Sequence, residues 1–180
     1  MVPDWDAGTF GILLNMKKVL GVDIGGVIFD FAPIFKTNGD VTEEEILHTP
    51  VMEGSIESLS VLNKTLFKDS IYLVSKYGED GPKSIQKWLE KQNFYERTGI
   101  AREHLFQCAE RHEKAPIVKD LGITHFVDDR AEVMSHFSDF VPNLYHFQSI
   151  LEDRNEWAKN IPNMTFVESW SELLRILNKE

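Results

Sequence analysis

Two periodicities take turns along this sequence, and their alternation leaves few folds open. Short apolar runs bounded by polar turns stand at residues 18–22, 70–74, 105–108, 125–127 and 144–147, each of strand length. Between them apolar residues recur at helical spacing: Ile56, Leu59 and Leu62 or Leu66 within 55–67, and Ile85, Trp88 and Leu89 within 82–94. Residues 114–121 and 130–137 continue the pattern, and Trp170, Leu173, Leu174 and Leu177 give a closing helix over 169–177. Pro82 suits a first helical position, where a missing N–H costs nothing. Five buried strands separated by helices need crossover connections, and these make a parallel sheet covered on both faces. The expected class is α/β: a three-layer, Rossmann-like, doubly wound parallel sheet. At 180 residues and 42% hydrophobic content the chain can bury one full core and is too short for two ordinary domains.

In such sheets ligands bind beyond the carboxyl ends of the strands, near the point where strand order reverses. Asp23 follows the first run, Ser75 and Lys76 the second, and Asp128, Asp129 and Arg130 the fourth. Taken singly, each has a plain structural use: an acid after a strand makes a turn, and paired acids cap a helix. Taken together they put three acids and a hydroxyl on one rim, where adjacent acids repel unless a cation lies between them. Thr42 and Glu45 in "VTEEEIL" make a capping box, so that acidic run reads as a helix start.

The set "VDIGGV", "YLVSK", Lys114 in "HEKAPIVKDLGI" and "HFVDDR" resembles, in order and approximate spacing, the four motifs of the haloacid dehalogenase superfamily of phosphohydrolases. The resemblance spans roughly residues 17–150, and "FVESWSELL" is similar to the tail of such domains. It implies a Mg²⁺-dependent phosphatase in which Asp23 attacks phosphorus to form an aspartyl-phosphate. It further implies that Asp23, Asp129 and the backbone carbonyl of Gly25 hold the metal, with Asp128 bound directly or through water. Ser75 would donate to a phosphate oxygen, and Lys114, with Lys119 as a fallback, would balance charge. The physics agrees: a carboxylate attacking an anionic ester needs a cation to screen the repulsion and hard oxygen ligands to hold it. The stretch 24–74 has room for a minimal cap or none, so the expected substrate is a nucleotide-like or otherwise bulky phosphate monoester.

One position departs from that pattern. The family carries a second aspartate two residues after the nucleophile, as general acid and then base, and here that residue is Gly25. General acid–base catalysis typically contributes about 10²–10⁴ in rate. Asp30 and His48 are the nearby candidates to replace it. The alternative function is a catalytically impaired module that binds phosphorylated ligands or a protein. "GVDIGGV" also resembles the phosphate loop of actin- and hexokinase-type sugar kinases, but Val27 stands where a hydroxyl is expected, and those kinases need two domains.

Other classes fall away on charge and composition. A net charge of −10 offers no field for duplex nucleic acid or an anionic membrane. No run approaches the 18 or so apolar residues of a membrane span, and the single cysteine, Cys108, makes no internal disulfide, which fits the cytoplasm. Met16 before Lys17 and Lys18 reads as a start, so residues 1–15 read as an N-terminal extension and 16–180 as a single domain. His104, Cys108 and His112 have the spacing of zinc ligands on a helix, but "HLFQC" reads as a strand, on which they share no face. Trp88, Phe94, Trp157 and Trp170 read as packing.

Overall fold

A computed structural model describes residues 17–30, 43–77, 83–149, 154, 156, 157 and 159–179. Its elements in the first half are β1 (Leu20–Val22), α1 (Glu43–His48), α2 (Ser55–Lys64), β2 (Ile71–Lys76), α3 (Lys83–Lys91), α4 (Phe94–Thr98) and β3 (Leu105–Cys108). Then follow α5 (Lys114–Asp120), β4 (His125–Asp128), α6 (Ala131–Ser135), β5 (Asn143–Phe147), β6 (Met164–Val167) and α7 (Trp170–Leu177). Short 3-10 turns at Arg102–His104 and Arg111–Glu113 lead into β3 and α5.

The strands form one parallel sheet in the order β3-β2-β1-β4-β5-β6. From β1 the chain winds outward through β2 to β3, returns to the other edge of β1 as β4, and winds outward the opposite way. Strand order therefore reverses between β1 and β4, where Val22 pairs with Leu73 on one side and Val127 on the other. A crevice at the carboxyl ends of these strands follows from that reversal.

Alternate strand residues feed two cores. Leu20, Val22, Leu73, Val127 and Phe147 meet the helices of one face through Leu59, Trp88, Phe94 and Trp170. Val19, Val74, Phe126 and Leu144 meet α5 and α6 through Val118, Val133 and Met134. Burial on both faces is why these strands are continuous apolar runs. Trp157 packs half-buried against the second core.

Several expectations change. Among the described residues there are six strands rather than five: in β6 only Val167 is buried, because the strand lies at the sheet edge, and the run is too polar to stand out. β2 extends through Ser75 and Lys76, and β4 through Asp128, so these residues end their strands rather than follow them. The helix expected over 82–94 stops at Lys91; Asn93 takes a left-handed conformation (φ 51°), and α4 begins at Phe94. The helix expected over 130–137 is confined to Ala131–Ser135. The extension at residues 1–15, Thr42 of the capping box and Pro82 lie outside the described residues.

Between β1 and β2, α1 and α2 both belong to the body. The Trp88 indole N–H donates to the Thr49 carbonyl at 2.9 Å, and the Lys91 ammonium to the Leu47 carbonyl at 2.8 Å, tying the end of α1 to α3. α2 packs against α4 and α7. Among the described residues no separate cap layer stands over the sheet, and no helix is long and apolar enough to cross a membrane.

Candidate active site

The rim is built from β1 upward. The Asp23 N–H donates to the Val127 carbonyl at 2.9 Å, carrying the β1–β4 pairing one residue past the strand and setting the two acidic strand ends side by side. The chain then closes a tight turn: the N–H groups of Ile28 and Phe29 both donate to the Ile24 carbonyl at 2.9 Å, and Gly26 N–H to the Phe29 carbonyl at 2.9 Å. Gly26 sits at φ +74°, and a Cβ there would lie 2.3 Å from Asp129 Oδ2. Glycine is needed for the backbone and for the approach of Asp129 alike.

Asp128 is fully buried at the end of β4; its Oδ1 accepts the Arg130 N–H at 2.9 Å and its Oδ2 the Lys114 ammonium at 2.9 Å. The Asp129 carbonyl is anchored from β5 by His146, whose Nε2 is 2.9 Å away. Lys114 opens α5, only 2% exposed, and its Nζ is also 2.9 Å from Asp23 Oδ1. One ammonium thus ties β1 to β4. Lys119, the fallback, is exposed.

Two features that the motif reading missed hold Lys114 in place. The turn before it is closed by a reciprocal capping box of Glu110 and Glu113, in which Glu113 accepts the N–H groups of Ala109 and Glu110 at 2.9 Å each. The hydrogen bond from Glu110, with that from Ala109, draws the exposed Glu113 carboxyl below the usual carboxylate range. Below the lysine, Gly21 leaves room for the Phe126 ring, which a Cβ would approach to 2.3 Å. The Lys114 ammonium lies 5.9 Å from the centroid of that ring. The Glu-x-x-Glu spacing before Lys114 was the available signal; the ring over Gly21 had none.

Three carboxylates gather at one ammonium that bonds two of them. Burial pushes the Asp23 carboxyl up to about 6, Lys114 pulling against it and Asp128 adding to it. Burial, then the neighbouring charges of Asp128 and Asp23, push Asp129 up to about 8. Burial opposes the Lys114 charge, but Asp128 and Asp23 more than offset it and hold the ammonium above the ordinary lysine range. One oxygen from each of Asp23, Asp128 and Asp129 can be chosen so that all lie within 4.8 Å of one another. Crowded, hard, anionic donors in excess of their cation fit a small divalent ion.

The remaining candidates stand differently. Ser75 is buried at the carboxyl end of β2, beside β1, and its hydroxyl donates to the Lys76 carbonyl at 3.4 Å rather than to the acids. Gly25 is half-buried, and the hydrogen bonds of its turn run to the carbonyls of Ile24 and Phe29, not to its own. His48 is exposed, its Nδ1 2.8 Å from the Glu44 carbonyl on its own helix. The Asp30 N–H donates to the Pro50 carbonyl at 3.0 Å. His104 sits against Tyr72, the Cys108 thiol faces the Ser75 carbonyl at 3.7 Å, and His112 is exposed, so these three form no ligand group.

No protein-family model matches the sequence, and no curated protein does. Solved structures do resemble it. The D,D-heptose 1,7-bisphosphate phosphatase of Burkholderia thailandensis aligns at 12% identity over 91% of this chain and 100% of its own, with a TM-score of 0.59. A haloacid dehalogenase-like hydrolase of Burkholderia xenovorans aligns at 9% identity over 91% and 97%, with a TM-score of 0.63. The class C acid phosphatase of Bacillus anthracis, solved with tungstate bound, aligns at 17% identity over 89% and 70%, with a TM-score of 0.53. At such identities the likeness is one of architecture, and the chain has the fold of the haloacid dehalogenase-like hydrolases.

Proposed function

We propose that this protein is a Mg²⁺-dependent phosphohydrolase that works through an aspartyl-phosphate on Asp23. The observation that carries the reading is the convergence of Asp23, Asp128 and Asp129 within 4.8 Å, with Lys114 bonded to the first two. Phosphatases among the structural neighbours support it. Asp23, Asp129, the Gly25 carbonyl and Asp128, directly or through water, would hold Mg²⁺, which when bound screens the charge between nucleophile and substrate.

The chain's own residues account for the rest. Asp23 forms a bond to phosphorus as the ester oxygen leaves with its electron pair. Lys114 keeps the Asp23 carboxylate oriented and balances charge on the transferring group, and Ser75 donates its hydroxyl to a phosphate oxygen. Water then splits the acyl phosphate, restoring Asp23 and releasing inorganic phosphate. With α1 and α2 packed into the body, the fitting substrate is a nucleotide-like or otherwise bulky phosphate monoester.

Hydrolysis of a phosphate-ester panel by wild type and Asp23→Asn, with and without Mg²⁺, tests this. Turnover is expected only for the wild type with Mg²⁺, and equal turnover by both proteins removes the nucleophile assignment. A second reading, favoured by Gly25, is a module that binds phosphorylated ligands or a protein without turnover; it predicts ligand binding with no phosphate released.

A further inference from the structure

Gly25 and Gly26 are adjacent, yet the backbone asks for glycine at only one of them. Gly26 is among the residues with positive φ, and Gly25 is not. Position 25, two residues past Asp23, therefore has no left-handed backbone that asks for glycine, and its missing side chain bears on the chemistry of the site.

Its consequence follows from the groups around Asp23. Asp128 and Asp129 form with Asp23 the acidic cluster that would hold the cation. The Lys114 ammonium is committed at 2.9 Å to two carboxylates. The Cys108 thiol faces the Ser75 carbonyl, His146 Nε2 the Asp129 carbonyl, and the Ser75 hydroxyl the Lys76 carbonyl. Each of these groups is already engaged by the cluster or by a backbone carbonyl, and Gly25 brings no side chain of its own to hand a proton to a departing oxygen. An alkoxide that leaves unprotonated is about as basic as hydroxide, whereas a phenolate, whose conjugate acid has a pKa of about 10, is a far weaker base.

We propose that Gly25 confines the protein to phosphates whose leaving oxygen departs as a stable anion without a proton: phosphoanhydrides and aryl, enol or acyl phosphates. This rests on Asp23 as nucleophile and narrows the substrate. The Asp23–phosphorus bond forms as the phosphorus–oxygen bond to the leaving group breaks, and the electron pair goes with that oxygen. Water then cleaves the acyl phosphate; one of its protons stays on the released phosphate and the other passes to solvent. A bulky nucleotide would be cut at its terminal anhydride rather than at its sugar ester.

The test is kcat/KM with Mg²⁺ over a series of aryl phosphates of graded phenol pKa, an alkyl phosphate, a nucleoside monophosphate and the matching diphosphate, for wild type and Gly25→Asp. The expected wild-type result is a steep fall with rising leaving-group pKa, the alkyl ester and monophosphate lying at least about 10²-fold below the best aryl phosphate and the diphosphate. Gly25→Asp is expected to flatten the dependence, raising the alkyl rate relative to the aryl rate by about 10². A flat wild-type dependence overturns the inference while leaving Asp23 as nucleophile, since a proton donor would then reach the site from elsewhere. No turnover of any member by the wild type removes both readings. The wild-type slope decides alone if Gly25→Asp fails to fold, as circular dichroism would reveal.

Discussion

Lys114 gathers more of the site's electrostatics than any other residue, since one buried ammonium faces two buried carboxylates. Removing one partner of such a group leaves an uncompensated charge in the interior, at a cost of about 3–5 kcal/mol. Lys114→Met should lower unfolding stability by that order in urea titrations of the metal-free protein, whereas Lys119→Met, at an exposed position, should change it by less than about 0.5 kcal/mol. The acids give a pH dependence of definite sign. Without a divalent ion, native Asp23 and Asp129 hold protons up to about 6 and about 8, while the unfolded chain loses them near 3.8. The native state binds more protons over that window, so stability falls as pH rises through it. Urea midpoints in chelator should drop between those pH values, and Mg²⁺ should flatten the decline by favouring the ionised carboxylates. Asp23, Lys114, Asp128 and Asp129 were legible as strand-end and motif residues. The Glu113 cap and the Phe126 ring were not recognised, because their value lies in what they hold rather than in what they carry.

At the scale of elements, α7 does more than close the chain. Ser169 caps it by accepting the Glu172 N–H at 3.2 Å, and Glu172 accepts the Glu168 N–H at 2.9 Å in return. Its first residue, Trp170, is fully buried and donates its indole N–H to the Val27 carbonyl at 2.8 Å, within the turn that follows Asp23. The helix is thereby a strut for the rim. Trp170→Phe keeps most of the packing but leaves that carbonyl without its donor, and should cost about 1–3 kcal/mol by chemical denaturation. The amphipathic stripe of α7 was plain from sequence, as were the strands buried on both faces. The break at Asn93 was not, because propensity at one asparagine did not outweigh the apolar spacing on either side of it. β6 escaped for the opposite reason: an edge strand needs little apolar content to pair.

For the whole molecule, the decisive fact is where strand order reverses. The motif resemblance implies that the ends of β1 and β4 meet; two outward windings from one central strand put them there. Because both strand ends contribute to the acidic cluster, a bound ion stabilises the native state alone. Mg²⁺ at a hundredfold excess over its dissociation constant should add about 2.7 kcal/mol. The melting temperature should rise accordingly in wild type, and the rise should shrink in Asp129→Asn. The same arrangement has a meaning for a chain still being made. β1 finds its partner β2 early, but the polar backbone edge that β4 will cover stays open until residue 128 has left the ribosome. Any fragment ending before that point leaves β1, an inner strand of the finished sheet, as an uncovered parallel edge where other chains can add. Such fragments should be insoluble on their own, and the ability to capture a divalent ion should arrive late in synthesis, in one step, with closure of that gap.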